Sequence, residues 1–147
     1  MKIHSKAFND NGHIPHKYAG DGENISPPLE WEDVPPNAKE LALVVEDPDA
    51  QQPQPFVHWL VYGIPPETHA LPEGQARNVV QGRNTAGRQG YLGPMPPRGR
   101  GPHHYHFRLY ALDSKIVVER GAGRDELLEK MKGHVLAESE TVGIYER

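Results

Sequence analysis

A chain of 147 residues with 36% hydrophobic residues and a net charge of −4 has room for one globular domain around a modest core. Fifteen glycines and fifteen prolines indicate many turns, below the composition of a disordered chain, and the lack of cysteine excludes disulfides and thiolate chemistry. The opening MKIHSKAFND has no apolar core of a signal peptide, and the longest apolar run, Leu41 to Val45, is far too short to cross a bilayer. A cytoplasmic protein without stable membrane insertion is expected.

Four Pro-Pro pairs (Pro27-Pro28, Pro35-Pro36, Pro65-Pro66 and Pro96-Pro97) mark loops, because proline cannot donate to a sheet ladder. Between them, Leu41–Glu46 is apolar and β-branched and stops at the turn Asp47-Pro48-Asp49. Phe56–Ile64 (FVHWLVYGI) is a second strand, halted by Pro65, and Tyr105–Leu112 a third, ended by Asp113-Ser114. In RDELLEKMKGH, Leu127, Leu128 and Met131 form a narrow helical stripe, with Asp125 and Glu126 at its start and Lys130 and Lys132 near its end. Gly133 suits the position after the helix. Thr141–Tyr145 is a short last strand. These elements predict a single mostly β domain over 1–147, a sandwich or barrel with one late helix.

Charge is unevenly spread. From Gly74 to Leu112 there is no Asp or Glu, while Arg77, Arg83, Arg88, Arg98, Arg100 and Arg108 all fall there. Those six charges leave the remainder at −10. This is either a solvated loop surface or a field that draws an anion to one side.

The segment GPHHYHFRLYALD (Gly101 to Asp113) packs three histidines into four positions. Alternation along a strand puts His103, Tyr105, Phe107 and Leu109 on one face, which should meet the core, and His104, His106, Arg108 and Tyr110 on the other. The same rule groups Leu41, Leu43, Val45 and Asp47, and also Phe56, His58, Leu60 and Tyr62. Asp47, His58 and His103 thus stand near strand ends facing one interior. Singly, each has a plainer role: a satisfied core histidine, or an aspartate opening a turn.

The stretches GENISPPLEW, EDPDA, FVHWLVYGIP, NTAGRQGYLGPMPPRGRGPHHYHFRLYALD and GHVLAESETVGIYER, in this order, resemble the phosphatidylethanolamine-binding (Raf kinase inhibitor) family in its prokaryotic form. The resemblance implies a β-sandwich with a large antiparallel sheet, a smaller second sheet and one or two short helices. It also implies a small anion-binding pocket formed by Asp47 and Asp49 of the DPD motif, His58 before Trp59, the backbone near Met95, His103 and Tyr105. A cis peptide is implied at Gln54–Pro55. Two positions depart from the family pattern. His104 stands where the family has arginine, on the face turned away from the pocket, and Met95 where prokaryotic members often have cysteine, its bulk narrowing the entrance. The chain ends soon after Tyr145, short of the C-terminal helix of eukaryotic members, so a more open pocket mouth is expected.

Phosphate needs imidazolium, phenol and backbone donors, and a carboxylate beside an imidazole orients it and raises its pKa above the usual ~6.5. Asp47 is a possible acceptor for the proton of a singly ionised ester. The ligand expected is a small anion, phosphate or a phosphorylated head group, with no cofactor and a monomer or homodimer as host. The alternatives are a regulator inhibiting a kinase or protease by contact, and a His104-x-His106 metal site, which lacks a nearby carboxylate because Arg108 and Tyr110 stand there. None of the four serines (Ser5, Ser26, Ser114, Ser139) sits in a nucleophile elbow, so a binding protein and not an enzyme is expected. Asp47 and His58 could in principle activate a water. Nucleic acid is not an expected partner, since the aromatics beside the arginines read as core residues.

Overall fold

The computed structural model describes residues 1–50 and 53–147. In chain order its strands are β1 (Lys2–His4), β2 (Gly12–His13), β3 (Leu29–Glu32), β4 (Glu40–Asp47), β5 (Phe56–Ile64), β6 (Ala70–Leu71), β7 (Val80–Gln81), β8 (His103–Leu112) and β9 (Val135–Tyr145), with one α-helix, α1 (Arg124–Met131), before β9. A single 3-10 turn spans His16–Tyr18. Six strands form a large sheet in the order β2-β9-β8-β4-β5-β7, and β1-β3-β6 form a small antiparallel one. The large sheet is antiparallel except at its edge, where β2 runs parallel to β9. The expected fold is therefore observed, with this one parallel pair added.

Every residue of β4 is buried because the strand is central and covered on both faces. One face carries Leu41, Leu43 and Val45 and packs with Trp59, Phe107 and Leu109 against Ile3, Leu29, Trp31 and Leu71 of the small sheet. The other carries Ala42 and Val44 and packs with Leu60 and Tyr62 beneath Leu127 and Met131 of α1. The helix stops where expected: Gly133 adopts φ +82°, a left-handed conformation that glycine takes without strain. Buried Glu46, on this second face, receives hydrogen bonds from Arg108 on β8 and Arg124 on α1, tying the helix to the sheet.

Strand boundaries and one peptide bond differ from the sequence reading, β4 running one residue further at each end. β8 begins at His103, two residues early, and β9 begins at Val135, six residues early. The first half of β9 is largely exposed, and its apolar Val135, Leu136 and Ala137 follow one another without alternation, so no strand period announces it; pairing of Ala137 with Ala111 and Glu138 with Tyr110 holds it in the sheet. The peptide Gln54–Pro55 is not cis, and no cis bond occurs among the described residues. The chain passes from Pro55 directly into extended β5, and trans is the lower-energy form of an X-Pro bond by about 0.5–1 kcal/mol.

Candidate functional site

The chain leaves β4 through Asp47-Pro48-Asp49. The Asp49 amide donates to Asp47 Oδ1 at 2.8 Å, closing the turn, while His103 Nδ1–H donates to Asp47 Oδ2 at 2.6 Å. The turn-forming role and the site role of Asp47 are therefore filled by different oxygens. Its side chain is only 4% exposed, so this pairing takes place out of water.

His58 arrives by a different route from the one alternation suggests. Val45 pairs with Trp59 but Glu46 pairs with Val57, so β5 spends one extra residue against β4, and that residue is His58. The bulge breaks the grouping of His58 with Leu60 and Tyr62: those two lie under α1, whereas the His58 ring packs against Phe56 and edge-on to Tyr105, with ring centres 4.8 and 5.1 Å away. Its Nδ1–H donates to the Leu92 carbonyl at 2.6 Å, and the Leu92 amide returns a bond to the His58 carbonyl. Burial lowers the His58 pKa below 6.5, outweighing the hydrogen bond to the Leu92 carbonyl and the charge of Asp47. The expected upward shift beside Asp47 thus fails for this ring: it is neutral, with Nδ1–H committed and a lone pair on Nε2.

Asp47, Asp49, His58, Met95, His103 and Tyr105, the six residues singled out from the sequence, all line one cavity of about 700 Å³. Tyr105 forms its wall, stacked against His103 at 6.5 Å; burial first, then the charge of Asp47, push its phenol pKa up, so it keeps its proton. Asp49 sits at the rim, where His104 Nδ1–H and the His104 amide both donate to its Oδ2 at 2.7 and 2.8 Å. Burial alone would raise the Asp49 pKa, but these bonds outweigh it and hold the carboxyl below its usual value. Met95 is 52% exposed, and its side chain lies over Gly20 at the mouth.

The remaining wall was not named from the sequence. Ala50, Phe56, Leu92, Gly93, Pro96, Pro97, Pro102 and Arg100 complete it. Arg100 matters most, as a cation on an otherwise apolar side; the acid-free arginine segment was its only signal. Arg108, counted in that segment, is instead neutralised by Glu46 and Glu140 on the opposite face. The loop that carries the wall is pinned from three sides: Gly20 N–H to the Pro94 carbonyl, Gly93 N–H to Asn24, and Arg147 to the Pro96 carbonyl. His104 and His106 do not converge on a metal; their rings meet different carboxylates, Asp49 and Glu140, and no cluster of three or more potential ligands exists among the described residues.

No helix among the described residues is long and apolar enough to cross a membrane. A family model described as phosphatidylethanolamine-binding protein matches residues 4–146. A UPF0098 protein of Methanothermobacter thermautotrophicus is 47% identical over 153 residues, covering all of this chain and 99% of the relative. Among solved structures, a phosphatidylethanolamine-binding protein homologue from Chlamydia trachomatis is 43% identical with a TM-score of 0.94, over 99% of this chain and 97% of that one. E. coli YbcL, described as a new member of the mammalian PEBP family, is 31% identical with a TM-score of 0.94, over 99% and 98% of the two chains. With the fold, the order of motifs and near-complete coverage in agreement, this chain belongs to the phosphatidylethanolamine-binding protein family.

Proposed function

We propose that the cavity binds a small anion, phosphate or the phosphoryl head group of a larger ester, in a protein that works by binding. The observation that carries this reading is the buried Asp47–His103 pair, opening on a cavity that Arg100 also lines. With Nδ1–H held by Asp47, the ring of His103 has Nε2 left for a ligand, as a charged donor when protonated. The Tyr105 hydroxyl and the Arg100 guanidinium supply further donors.

His58 adds selectivity. A neutral ring whose Nδ1–H is engaged offers only a lone pair at Nε2, which suits the P–OH of a singly ionised phosphate and repels an anion without a proton. The proton acceptor in this scheme is His58 and not Asp47, both of whose oxygens already accept hydrogen bonds. Phosphate and phosphorylethanolamine should therefore bind more tightly than sulfate. Their affinity should fall as pH rises, because the second phosphate proton, which the His58 lone pair accepts, is lost near pH ~6.

Calorimetric titration with the three anions from pH 5 to 8 tests this. His103→Ala should cost about 1.5–3 kcal/mol, ten- to a hundredfold in affinity, the worth of a charge-assisted hydrogen bond. His104→Ala should change affinity less than threefold, since the His104 amide still holds Asp49. Equal losses in the two variants, both folded by circular dichroism, would place the ligand elsewhere.

A further inference from the structure

The case for a binding protein rests partly on the lack of a protein nucleophile. That exclusion covers only enzymes that bring their own. A phosphodiester with a hydroxyl on the carbon next to its ester oxygen carries its nucleophile within itself. It then needs a base for that hydroxyl, an acid for the leaving oxygen, and donors for the phosphoryl oxygens.

The cavity holds this set. His58 and His103 both line it, with the Tyr105 ring between them and their ring centres 5.1 and 6.5 Å from it. Each imidazole is anchored through Nδ1, but to chemically different partners: His58 to the neutral Leu92 carbonyl, His103 to the Asp47 carboxylate. The anchors assign the roles. For the buried ring bonded to a neutral carbonyl, burial outweighs the charge of Asp47, and so it acts as base. A ring held by a carboxylate has that counter-charge, and so serves as the proton donor. We propose that His58 and His103 form a base–acid pair that cleaves small phosphodiesters by attack of the substrate's own neighbouring hydroxyl, with Arg100 facing the phosphoryl oxygens. This rests on the anion-binding reading of the same cavity.

The step balances without metal or redox partner. His58 Nε2 takes the hydroxyl proton, and the oxygen forms a new bond to phosphorus. The bond from phosphorus to the departing alkoxide breaks, and that alkoxide takes the proton from His103 Nε2. The products are a cyclic phosphodiester and an alcohol, and solvent then restores the two protonation states. Turnover should rise with pH as His58 becomes free base, below 6.5 because burial depresses its pKa. The ionisable and charged groups around the pair are Asp47 and Asp49 from the β4 turn, Tyr105 on β8, Arg100 in the loop, and Tyr145 of β9, paired with His103 and bonded to Asp21 and His16.

The experiment uses two substrates with an internal hydroxyl: 2-hydroxypropyl 4-nitrophenyl phosphate and a ribodinucleoside monophosphate. Bis(4-nitrophenyl) phosphate, which lacks the hydroxyl, is the control. Both hydroxyl-bearing esters should turn over and the control should not. In His58→Asn the amide can still donate to Leu92 but cannot act as base; kcat for both esters should fall at least roughly 100-fold. In His103→Asn the bond to Asp47 can persist while the acid is lost. Here kcat should fall about as far for the dinucleotide, with its poor alkoxide leaving group, and less than tenfold for nitrophenolate, which departs unprotonated. Circular dichroism and the unfolding midpoint of each variant report an intact fold. Binding of the esters without turnover, cleavage of the control at the same rate, or turnover unchanged in His58→Asn would overturn the catalytic proposal and leave anion binding standing. Failure of phosphate and both esters to bind the native protein would overturn both.

Discussion

His58 and His103 occupy one cavity and carry the same functional group, yet their anchors make them different reagents. Burial keeps His58 neutral against the pull of the Leu92 carbonyl, while Asp47 gives His103 a directly bonded charged partner. The cost of holding His58 neutral is visible in stability. Its pKa is lower folded than unfolded, so between the two values the unfolded chain binds more protons. That contribution is fully present above the unfolded value of ~6.5 and is lost as pH falls toward the folded value. The difference in unfolding midpoint between wild type and His58→Asn should therefore shift toward the variant as pH drops from 7 to 5. Denaturant titrations at both pH values measure it, and a pH-independent difference would show that His58 titrates alike in both states.

At the level of elements, the cavity depends on two irregularities in otherwise regular strands. The bulge in β5 turns His58 out of the face that alternation assigns it, and the loop after Leu92 closes over that ring. Gly93 is where this loop meets the 3-10 turn. A methyl at its Cα would lie 2.1 Å from the Tyr18 carbonyl oxygen and 2.8 Å from the Gly20 nitrogen, both backbone atoms of a pinned segment. Gly93→Ala must displace the loop that bears Leu92, Met95, Pro96 and Pro97. The expected outcome is a stability loss of about 1–3 kcal/mol, as for an overpacked core, together with at least tenfold weaker phosphate binding. Gly87→Ala serves as comparison: its φ of +85° carries backbone strain, but no atom lies within 4 Å of the added methyl, and it lines no part of the cavity. It should lose stability and keep phosphate affinity.

Across the whole molecule, the large sheet separates two chemistries. One face meets the small sheet and ends at the cavity; the other bears α1 and the Glu46, Arg108, Arg124 and Glu140 ion network. The network absorbs Arg108, whereas the exposed Arg100 lines the cavity. Exposed charges are screened over about 10 Å at 0.1 M salt. Phosphate affinity should fall several-fold between about 20 and 200 mM sodium chloride, and less steeply in Arg100→Gln. Equal salt dependence in the two proteins would remove Arg100 from the site.

The sequence alone determined the principal strands, the helix and its stop at Gly133, and the faces of β4 and β8, because burial of one face imposes a period that local residues display. Ordered motifs also identified the six residues from Asp47 to Tyr105. Where pairing and not burial holds a strand, as in the exposed first half of β9 or the two-residue β2, β6 and β7, no period exists to be read. The position of His58 shows the limit most clearly. It joins Asp47 and His103 because β5 takes an extra residue against β4, an event defined by the partner strand and invisible in FVHWLVYGI itself. Likewise, Leu92 as the anchor of His58, Arg100 on the wall and Glu46 as the sink for Arg108 depend on contacts between residues distant in the chain, which only the tertiary structure decides.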